Sequence, residues 1–374
     1  MPNINMVRFL MIGGFLGAGK TTAIRKYVGW LFTAKGLRSA VITNDQAAGL
    51  VDSELMEDSG IDTGEIVGGC FCCRSDLLME TADRIVNDFN PDVIVAEPVG
   101  SCTDLVATVG LPIATVFQKP FVVGPLTVLL DPLRAERVLK RAAAGVTDPN
   151  DVDYIYLKQL EEAQVIVVNK KELLSAARLS ALEATLKGRY PRATVFVVSV
   201  RKGEGLEAWW EYLHATKAVT PSIMEVDYAR YAEGEAKMGW VNAGYWASSD
   251  ADLDFNSVAQ RIADDVVNGF REYGIEVAHF KFRITSDDGG AATVVQWVDN
   301  EQQPEFTSRT EGLCKEGRIV VNLRAESEPQ QLGEIVHGAV SRAFAGCVLL
   351  QESIAAFSPG APNPVHRVSE VPSA

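Results

Sequence analysis

The sequence predicts an α/β protein in which a doubly wound, mostly parallel sheet is followed by a second, smaller α+β domain. Short runs rich in Val, Ile and Leu alternate with amphipathic stretches over roughly the first 215 residues, which is typical of βαβ units. These runs lack polar alternation, as expected for strands covered on both faces, whereas later runs alternate polar and apolar residues. A length of 374 residues accommodates two domains.

The predicted parallel strands are apolar runs separated by helical stretches: Phe9–Ile12, Ser39–Thr43, Val93–Ala96, Leu126–Leu130, Val165–Val168 and Thr194–Val198. The helical stretches carry apolar residues at helical spacing: Ala23–Phe32, Asp76–Phe89, Tyr154–Ala163 and Ser180–Lys187. A helix between consecutive strands makes parallel pairing the expected arrangement.

A polar stretch that contains Pro221 marks the expected boundary, so we predict a first domain over residues 1–220 and a second over 221–352. The second domain is expected to contain four strands and two helices: Met238–Ala247, Asn256–Tyr273, His279–Thr285, Ala292–Val298, Arg318–Leu323 and Gln330–Phe344. The remaining residues, 353–374, are rich in proline and are predicted to form an extended tail.

The composition restricts the classes of partner. Hydrophobic residues make up 47% and charged residues 22%, which fits a globular protein. A formal net charge of −14 argues against nucleic acid or an anionic membrane as a partner. No apolar run has the length of a membrane span, and the apolar amino terminus continues directly into Gly19-Lys20, which favours a strand and loop over a targeting segment. We therefore expect a cytoplasmic protein.

The stretch from Gly13 to Thr22 matches the phosphate-loop pattern G-x-x-x-x-G-K-[ST] between a predicted strand and a predicted helix. Backbone N–H groups of such a loop surround phosphate oxygens, and the positive end of the helix dipole faces the anion. Lys20 is expected to neutralise the β- and γ-phosphates, and Thr21 to bind Mg²⁺. The predicted phosphate-binding residues are Gly14, Gly17, Ala18, Gly19, Lys20, Thr21 and Thr22.

The run Asn169-Lys170-Lys171-Glu172 follows a buried strand, in the manner of the Asn-Lys-x-Asp motif that reads guanine. A carboxylate at Glu172 can accept two hydrogen bonds from guanine that adenine cannot donate, which predicts a preference for GTP. Ser199 and Val200 follow another strand thirty residues after Asn169 and resemble the loop that covers the base.

The strand Val93–Ala96 ends at Glu97, followed by Pro98-Val99-Gly100. A carboxylate at this position can hold Mg²⁺ or orient the attacking water. Gly100 can bring its backbone close to the γ-phosphate.

Three of the six cysteines are crowded into Cys70-Phe71-Cys72-Cys73, whereas Cys102, Cys314 and Cys347 are scattered. Three thiolates can supply three ligands of a tetrahedral Zn²⁺ or Co²⁺ site, with the fourth from water, a carboxylate or a partner protein. A redox role is the alternative, and the strain of a vicinal disulfide disfavours it.

These motifs, in this order, resemble those of the CobW-type P-loop GTPases, relatives of the hydrogenase and urease nickel-insertion GTPases. The resemblance covers roughly residues 7–215. The segment Asn44–Asp52 resembles the switch of that family, with Asp45 where the family usually has Glu, and the segment Gln159–Ala163 also fits. Glu172 stands where the family has Asp.

The resemblance implies hydrolysis of GTP with Mg²⁺, held by Thr21, Asp45 and Glu97, with Lys20, Asp45 and Glu97 as the catalytic set; Asp52 is an alternative to Asp45 on the switch. It also implies delivery of a metal, often Zn²⁺ or Co²⁺, to a client metalloprotein, and relatives often form homodimers. One alternative is a GTP-dependent chaperone or regulator of a corrinoid enzyme or another metalloenzyme, with a structural cysteine cluster. Another is a small-metabolite kinase, which the Asn169-Lys170 motif disfavours.

Overall fold

The computed structural model describes residues 6–45, 63–67, 69–117, 119–144, 151–216, 222–287 and 292–370. Two compact units divide these residues. The first contains the described residues up to Gly234 and again those from Ala361 onward, and the second contains those between Glu235 and Gly360.

The first unit is built on a parallel sheet. Its strands among the described residues are β1 (Val7–Gly14), β2 (Ser39–Asp45), β3 (Thr63–Val67), β4 (Val93–Glu97), β5 (Phe121–Val123), β6 (Thr127–Leu130), β7 (Val165–Val168) and β8 (Thr194–Val197). They lie in the order β3-β2-β4-β1-β6-β7-β8. The short strand β5 pairs with the first residues of β1, from Val7 to Phe9, and β6 pairs with its last residues, from Ile12 to Gly14. Every ladder between them is parallel, so the carboxyl ends of the strands share one edge.

Six helices lie between these strands in the described chain: α1 (Lys20–Lys35), α2 (Ser75–Phe89), α3 (Leu111–Thr115), α4 (Pro132–Ala143), α5 (Asp151–Glu162) and α6 (Ala176–Arg189). Two more follow β8: α7 (Leu206–Ala215) and α8 (Tyr228–Ala236), which extends two residues past the division after Gly234. A π-helical segment, Val106–Gly110, leads into α3. Local sequence sets some of the ends: α4 begins after Asp131, whose carboxylate accepts hydrogen bonds from the amides of Leu133 and Arg134. Buried apolar residues of α1 and α7, such as Tyr27 and Trp209, form a core with the central strands.

The second unit is an antiparallel sheet with helices. Its described strands lie in the order β12-β11-β10-β13-β9-β14: β9 (Gly239–Leu253), β10 (Val277–Ser286), β11 (Thr293–Trp297), β12 (Glu305–Ser308), β13 (Cys314–Ala325) and β14 (Val348–Phe357). The helices α9 (Phe255–Tyr273) and α10 (Pro329–Ala343) share one buried core with the sheet.

The predicted fold class is confirmed: a doubly wound parallel sheet and a smaller α+β unit. Sequence patterns did not predict β3, β5, β12 or β14. Strand β5 has three residues, and β3 and β12 each contain a glutamate, so none of them forms an apolar run like those of β6 and β7.

The carboxyl-terminal residues differ from the expected extended tail. Strand β14 continues to Phe357 because it pairs with β9 along its length, with Phe357 opposite Trp240. The chain then rejoins the first unit at Ala361. The division of the units after Gly234 also differs from the predicted boundary after residue 220.

Within the described ranges, no helix combines the length and the apolar character that crossing a membrane requires.

A pair of glycine substitutions tests the close packing at the end of β1. Gly14 has φ +128°, and a Cβ there would stand 2.1 Å from the carbonyl oxygen of Leu129. We expect Gly14→Ala to lower the free energy of unfolding by about 1–3 kcal/mol. Gly29→Ala, in α1 with nothing within 4 Å of the added Cβ, should raise it by about 0.5–1 kcal/mol. Urea unfolding followed by circular dichroism measures both, and equal stability of Gly14→Ala and the native chain would contradict the packing.

Candidate functional site

The loop between β1 and α1 has the conformation that a phosphate-binding loop needs. Gly14, Gly17 and Gly19 all have positive φ, at 128°, 76° and 91°. Lys20 is nearly buried, and its ammonium donates to the carbonyl of Gly14 at 2.9 Å. The lysine charge is therefore held against the loop at the amino end of α1, where the helix dipole also favours an anion.

Two oxygen ligands suited to Mg²⁺ lie together beside this loop. The hydroxyl of Thr21 donates to Oε1 of Glu97 at 3.0 Å. Two neighbouring oxygens of an octahedral Mg²⁺ shell with bonds of about 2.1 Å are also about 3 Å apart, so this pair fits the ion. Asp45 ends β2, next to β4 in the sheet, but its side chain lies outside the described part of the structure, as does the whole of Asp52.

Asn169 connects the phosphate loop to the predicted base loop. Its Nδ2 donates to the carbonyl of Ala18 at 2.9 Å, and its Oδ1 accepts from the amide of Val200 at 3.0 Å. Lys170 reinforces the contact, since its ammonium donates to the carbonyl of Gly17 and to Asp131, each at 2.9 Å. The structure thus brings both predicted nucleotide motifs together, and Asp131 is a partner that the sequence did not indicate.

Glu172 lies exposed in the short 3-10 turn Lys171–Leu173. This turn is tied to the base loop by an ion pair between Lys171 and Glu204, 2.8 Å apart. Ser199 is buried, and its hydroxyl accepts from the amide of Lys202 at 3.2 Å, which shapes the base loop.

Gly100 packs directly on the phosphate loop. A Cβ at this position would stand 2.7 Å from Cδ2 of Leu16 and 3.1 Å from the backbone nitrogen of Leu16. Only glycine allows this approach without displacing the loop, so the segment after β4 is in contact with the nucleotide site.

The three crowded cysteines form one sulfur cluster. The Sγ of Cys70 lies 2.9 Å from that of Cys72 and 3.2 Å from that of Cys73, and the latter two are 3.8 Å apart. The cluster sits in the turn that precedes α2, where the amides of Cys73 and Arg74 donate to the carbonyl of Cys70 at 3.0 Å. All six cysteines are described and none forms a disulfide. The sulfurs lie within 4.8 Å of one another, which fits a shared soft metal ion.

Asn44 connects the end of β2 to this cluster, because its Nδ2 donates to the carbonyls of Ile66 at 3.0 Å and Gly69 at 2.7 Å. Asn44 is the first residue of the predicted switch segment.

Cys102, which looked isolated in the sequence, lies at the same cluster. It is 3% exposed, and its side chain contacts that of Cys70. Hydrogen bonds from Cys102, and then from Cys72 and Cys73, hold the pKa of the Cys70 thiol well below its usual range. The contact with Cys70 raises the pKa of Cys72. The arrangement favours one thiolate, at Cys70, surrounded by thiols. Sequence spacing missed this residue because the turn after β4 and the turn before α2 meet only at the shared sheet edge.

Helix α5 fixes the segment that carries Cys102. Gln159 donates from Nε2 to the carbonyls of Gly100 and Cys102, each at 2.9 Å. Glu162 accepts from the hydroxyl of Thr103 at 3.1 Å and from the amide of Val106 at 3.2 Å. These contacts give Gln159 and Glu162 a structural role in holding the segment after β4.

The residues after Ala361 cover the cluster. The amide of Asn363 donates to Sγ of Cys73 at 3.2 Å, and the amide of Val365 donates to the carbonyl of Cys72 at 3.0 Å. Arg367 then pairs with Asp104 at 2.7 Å. No sequence pattern indicated this return of the chain.

The parallel sheet, the phosphate loop and the Asn169-Lys170 motif define a nucleotide-binding domain of the P-loop GTPase class. The chain belongs to the CobW/HypB/UreG family, since the model of the nucleotide-binding domain of that family matches residues 8–197, just over half of the chain.

Relatives with curated names are similar over about half of the chain. The zinc chaperone CobW of Pseudomonas aeruginosa is 27% identical over 237 residues, which are 54% of this chain and 59% of that protein. The zinc chaperone YeiR of Escherichia coli is 29% identical over 184 residues, 48% of this chain and 51% of that protein. The chain therefore spans little more than half the length of these relatives. Among solved structures, nickel-bound HypB from Helicobacter pylori aligns with a TM-score of 0.42 at 16% identity, covering 56% of this chain and 86% of that one.

The buried carboxyl of Glu162, on α5, makes the free energy of unfolding depend on pH. Burial, as the largest cause, raises its pKa to about 8. The carboxyl is thus neutral in the folded chain at pH values where the unfolded chain ionises it. The free energy of unfolding therefore has its full value below about pH 4.5 and falls as the pH rises to about 8. Relative to the native chain, Glu162→Gln should gain up to about 1.4 kcal/mol in the free energy of unfolding per pH unit across this window.

Urea unfolding at a series of pH values measures the difference. Glu161→Gln is the matched control, since this neighbouring carboxylate is half exposed and pairs with Lys158 on the surface. A Glu162→Gln difference that stays constant from pH 5 to about 8 would contradict the assignment of a neutral buried carboxyl.

Proposed function

We propose that this chain is a GTP-hydrolysing metallochaperone, which binds a zinc ion at Cys70, Cys72 and Cys73 and couples hydrolysis to delivery of that ion to a client metalloprotein. One observation carries the proposal. The segment after β4 packs on the phosphate loop at Gly100 and contacts the sulfur cluster two residues later at Cys102. A change at the γ-phosphate can therefore reach the metal ligands through one short turn, from Gly100 along the chain to Cys102 and from there through its side-chain contact with Cys70.

The proposed hydrolysis of GTP takes place at the phosphate loop, where the residues involved already contact one another. Lys20 neutralises the β- and γ-phosphates, and the backbone amides from Gly14 to Thr22 surround them. Thr21 and Glu97 would hold Mg²⁺, which neutralises the charge that develops on the phosphates. A water attacks the γ-phosphorus, the bond to the β-phosphate oxygen breaks, and GDP and inorganic phosphate leave. Asp45 or Asp52 is the candidate for orienting that water.

The base end supports GTP through Asn169, Lys170 and Glu172. Asn169 already fixes the loop at Val200 by a hydrogen bond of 3.0 Å, so the base pocket is held together before the nucleotide binds. The Glu172 carboxylate would accept the hydrogen bonds of guanine, which adenine does not offer.

The metal end rests on thiol chemistry. Soft thiolates select zinc or cobalt over magnesium or calcium, and the names of the curated relatives favour zinc. Delivery to a client requires ligands that release the ion when the switch segment moves. We also propose that the ion is delivered to a client metalloprotein and that the protein acts as a homodimer.

Titration of the full chain with zinc and nucleotide tests the coupling. We expect release of phosphate from GTP, a rate that changes when zinc is bound, and one zinc per chain. Lys20→Ala should lower the hydrolysis rate by about a hundredfold or more, since it removes the charge on the β- and γ-phosphates. Lys35→Ala is the control on the same helix, because Lys35 pairs with Glu211 on the surface.

The same titration separates the alternatives. Cys72→Ser should lose zinc binding and the effect of zinc on the rate, whereas Cys314→Ser, in the second unit, should keep both. GTP hydrolysis that ignores zinc, in a chain that binds no exchangeable metal, would replace the proposal with a GTP-dependent regulator that has a structural cysteine cluster.

A change of the base offers a separate test of Glu172. Glu172→Gln replaces an acceptor with a donor opposite position 2 of the purine, which suits the carbonyl of xanthine and not the amino group of guanine. We expect the preference for GTP over XTP to fall by at least about tenfold. Competition binding with fluorescent GDP measures it, and Glu204→Gln, on the neighbouring loop, is the control. An unchanged preference would remove Glu172 from the base site.

A further inference from the structure

We propose that Cys102 is a fourth thiolate ligand of the ion bound at Cys70, Cys72 and Cys73, supplied by the segment that follows the nucleotide-contacting strand β4. The inference rests on the proposed zinc binding and adds a ligand from a separate part of the chain. No sequence motif of the cluster includes this residue.

The position of Cys102 is built by several contacts. Its amide donates to the carbonyl of Val99 at 2.9 Å, which closes a turn, and its carbonyl accepts from Gln159 at 2.9 Å. Tyr231 adds a second support, because its hydroxyl accepts from the amide of Thr103 at 3.1 Å and donates to the carbonyl of Ser101 at 3.2 Å. The turn therefore presents the thiol to Cys70 in a defined place.

The chemistry of the cluster calls for one more donor. Zinc in a protein site of thiolates takes four ligands in a tetrahedron, and three cysteines leave one position. Asn363 and Val365 cover the cluster at Cys73 and Cys72, which limits access from that side. Cys102 is buried and already contacts a sulfur of the cluster, so it can fill the fourth position without a ligand from outside.

The sulfurs that all lie within 4.8 Å of one another are those of Cys70, Cys72 and Cys73. Cys102 lies outside this group, and its side chain forms a hydrogen bond with that of Cys70. Completing the tetrahedron requires the sulfur of Cys102 to move closer to the rest of this group. Gly100, in the same turn, is packed on the phosphate loop. A shift of the phosphate loop on nucleotide exchange would therefore act on this turn, and through it on the distance from Cys102 to the ion.

Cobalt serves as a spectroscopic probe of this ligand count. Each thiolate on Co²⁺ adds to the sulfur-to-metal charge-transfer absorbance, so Cys102→Ser should lower the absorbance per bound Co²⁺ by about one quarter. Zinc affinity, measured by competition with a chromophoric chelator, should fall by more than the roughly 10- to 100-fold typical of an outer-shell change. Both are measured on the full chain with GDP and with a non-hydrolysable GTP analogue. The affinity ratio between the two nucleotides should shrink in Cys102→Ser.

Cys102→Ala and Cys347→Ser complete the design. Cys102→Ala avoids a buried hydroxyl, and thermal unfolding of the metal-free variants checks that the fold is kept. Cys347→Ser, in the second unit, should behave as the native chain in every measurement. A charge-transfer absorbance and zinc affinity that are unchanged in both Cys102 variants would overturn the inference. If the native chain bound zinc, and Cys72→Ser abolished that binding, the proposed function would survive such a result. If the native chain bound no zinc, both would fail.

Discussion

The contact between the hydroxyl of Thr21 and the carboxylate of Glu97, 3.0 Å long, depends on the parallel pairing of β1, β4 and β2. Parallel strands end at the same edge of a sheet, so the residues that follow them are brought together whatever their distance in sequence. The phosphate loop follows β1, the turn with Gly100 and Cys102 follows β4, and Asn44 lies near the end of β2. A shift in the register of these strands would separate the magnesium ligands and the sulfur cluster from the phosphate loop together.

Helix α5 holds the turn after β4 in place at this edge of the sheet, and it does so by burying polar side chains, which costs free energy. Glu162 is buried as a neutral acid, and the side-chain amide of Gln159 donates two hydrogen bonds to the turn after β4. Buried polar groups of this kind are stable only when their partners are in place, so they favour one conformation of the turn over others. Asp104, which pairs with Arg367 and accepts from Tyr228 at 2.6 Å, adds the returning carboxyl-terminal segment to the same network. The cysteine cluster is therefore positioned by polar contacts on its flanks as well as by its own turn.

The sequence predicted the fold class and the apolar strands of the first domain because buried parallel strands leave an apolar signal that is local in the chain. It also predicted the phosphate loop, since the glycines, the lysine and the threonine are consecutive and each has a separate physical reason. Short strands such as β5, with three residues, leave too little pattern to recognise. Cys102 was missed for another reason: a single buried cysteine has no spacing that distinguishes a ligand from a small apolar residue.

By itself, the sequence determined which residues could bind phosphate, read a base and ligate a soft metal, because those capacities belong to side-chain types at short spacings. Only the tertiary structure decided which of them meet. It placed Asn169 between the phosphate loop and Val200, brought Cys102 to Cys70, and returned Asn363 to the cluster. The physical reason is that these contacts join segments separated by thirty to nearly three hundred residues, and only strand order, helix packing and buried polar partners fix such distances.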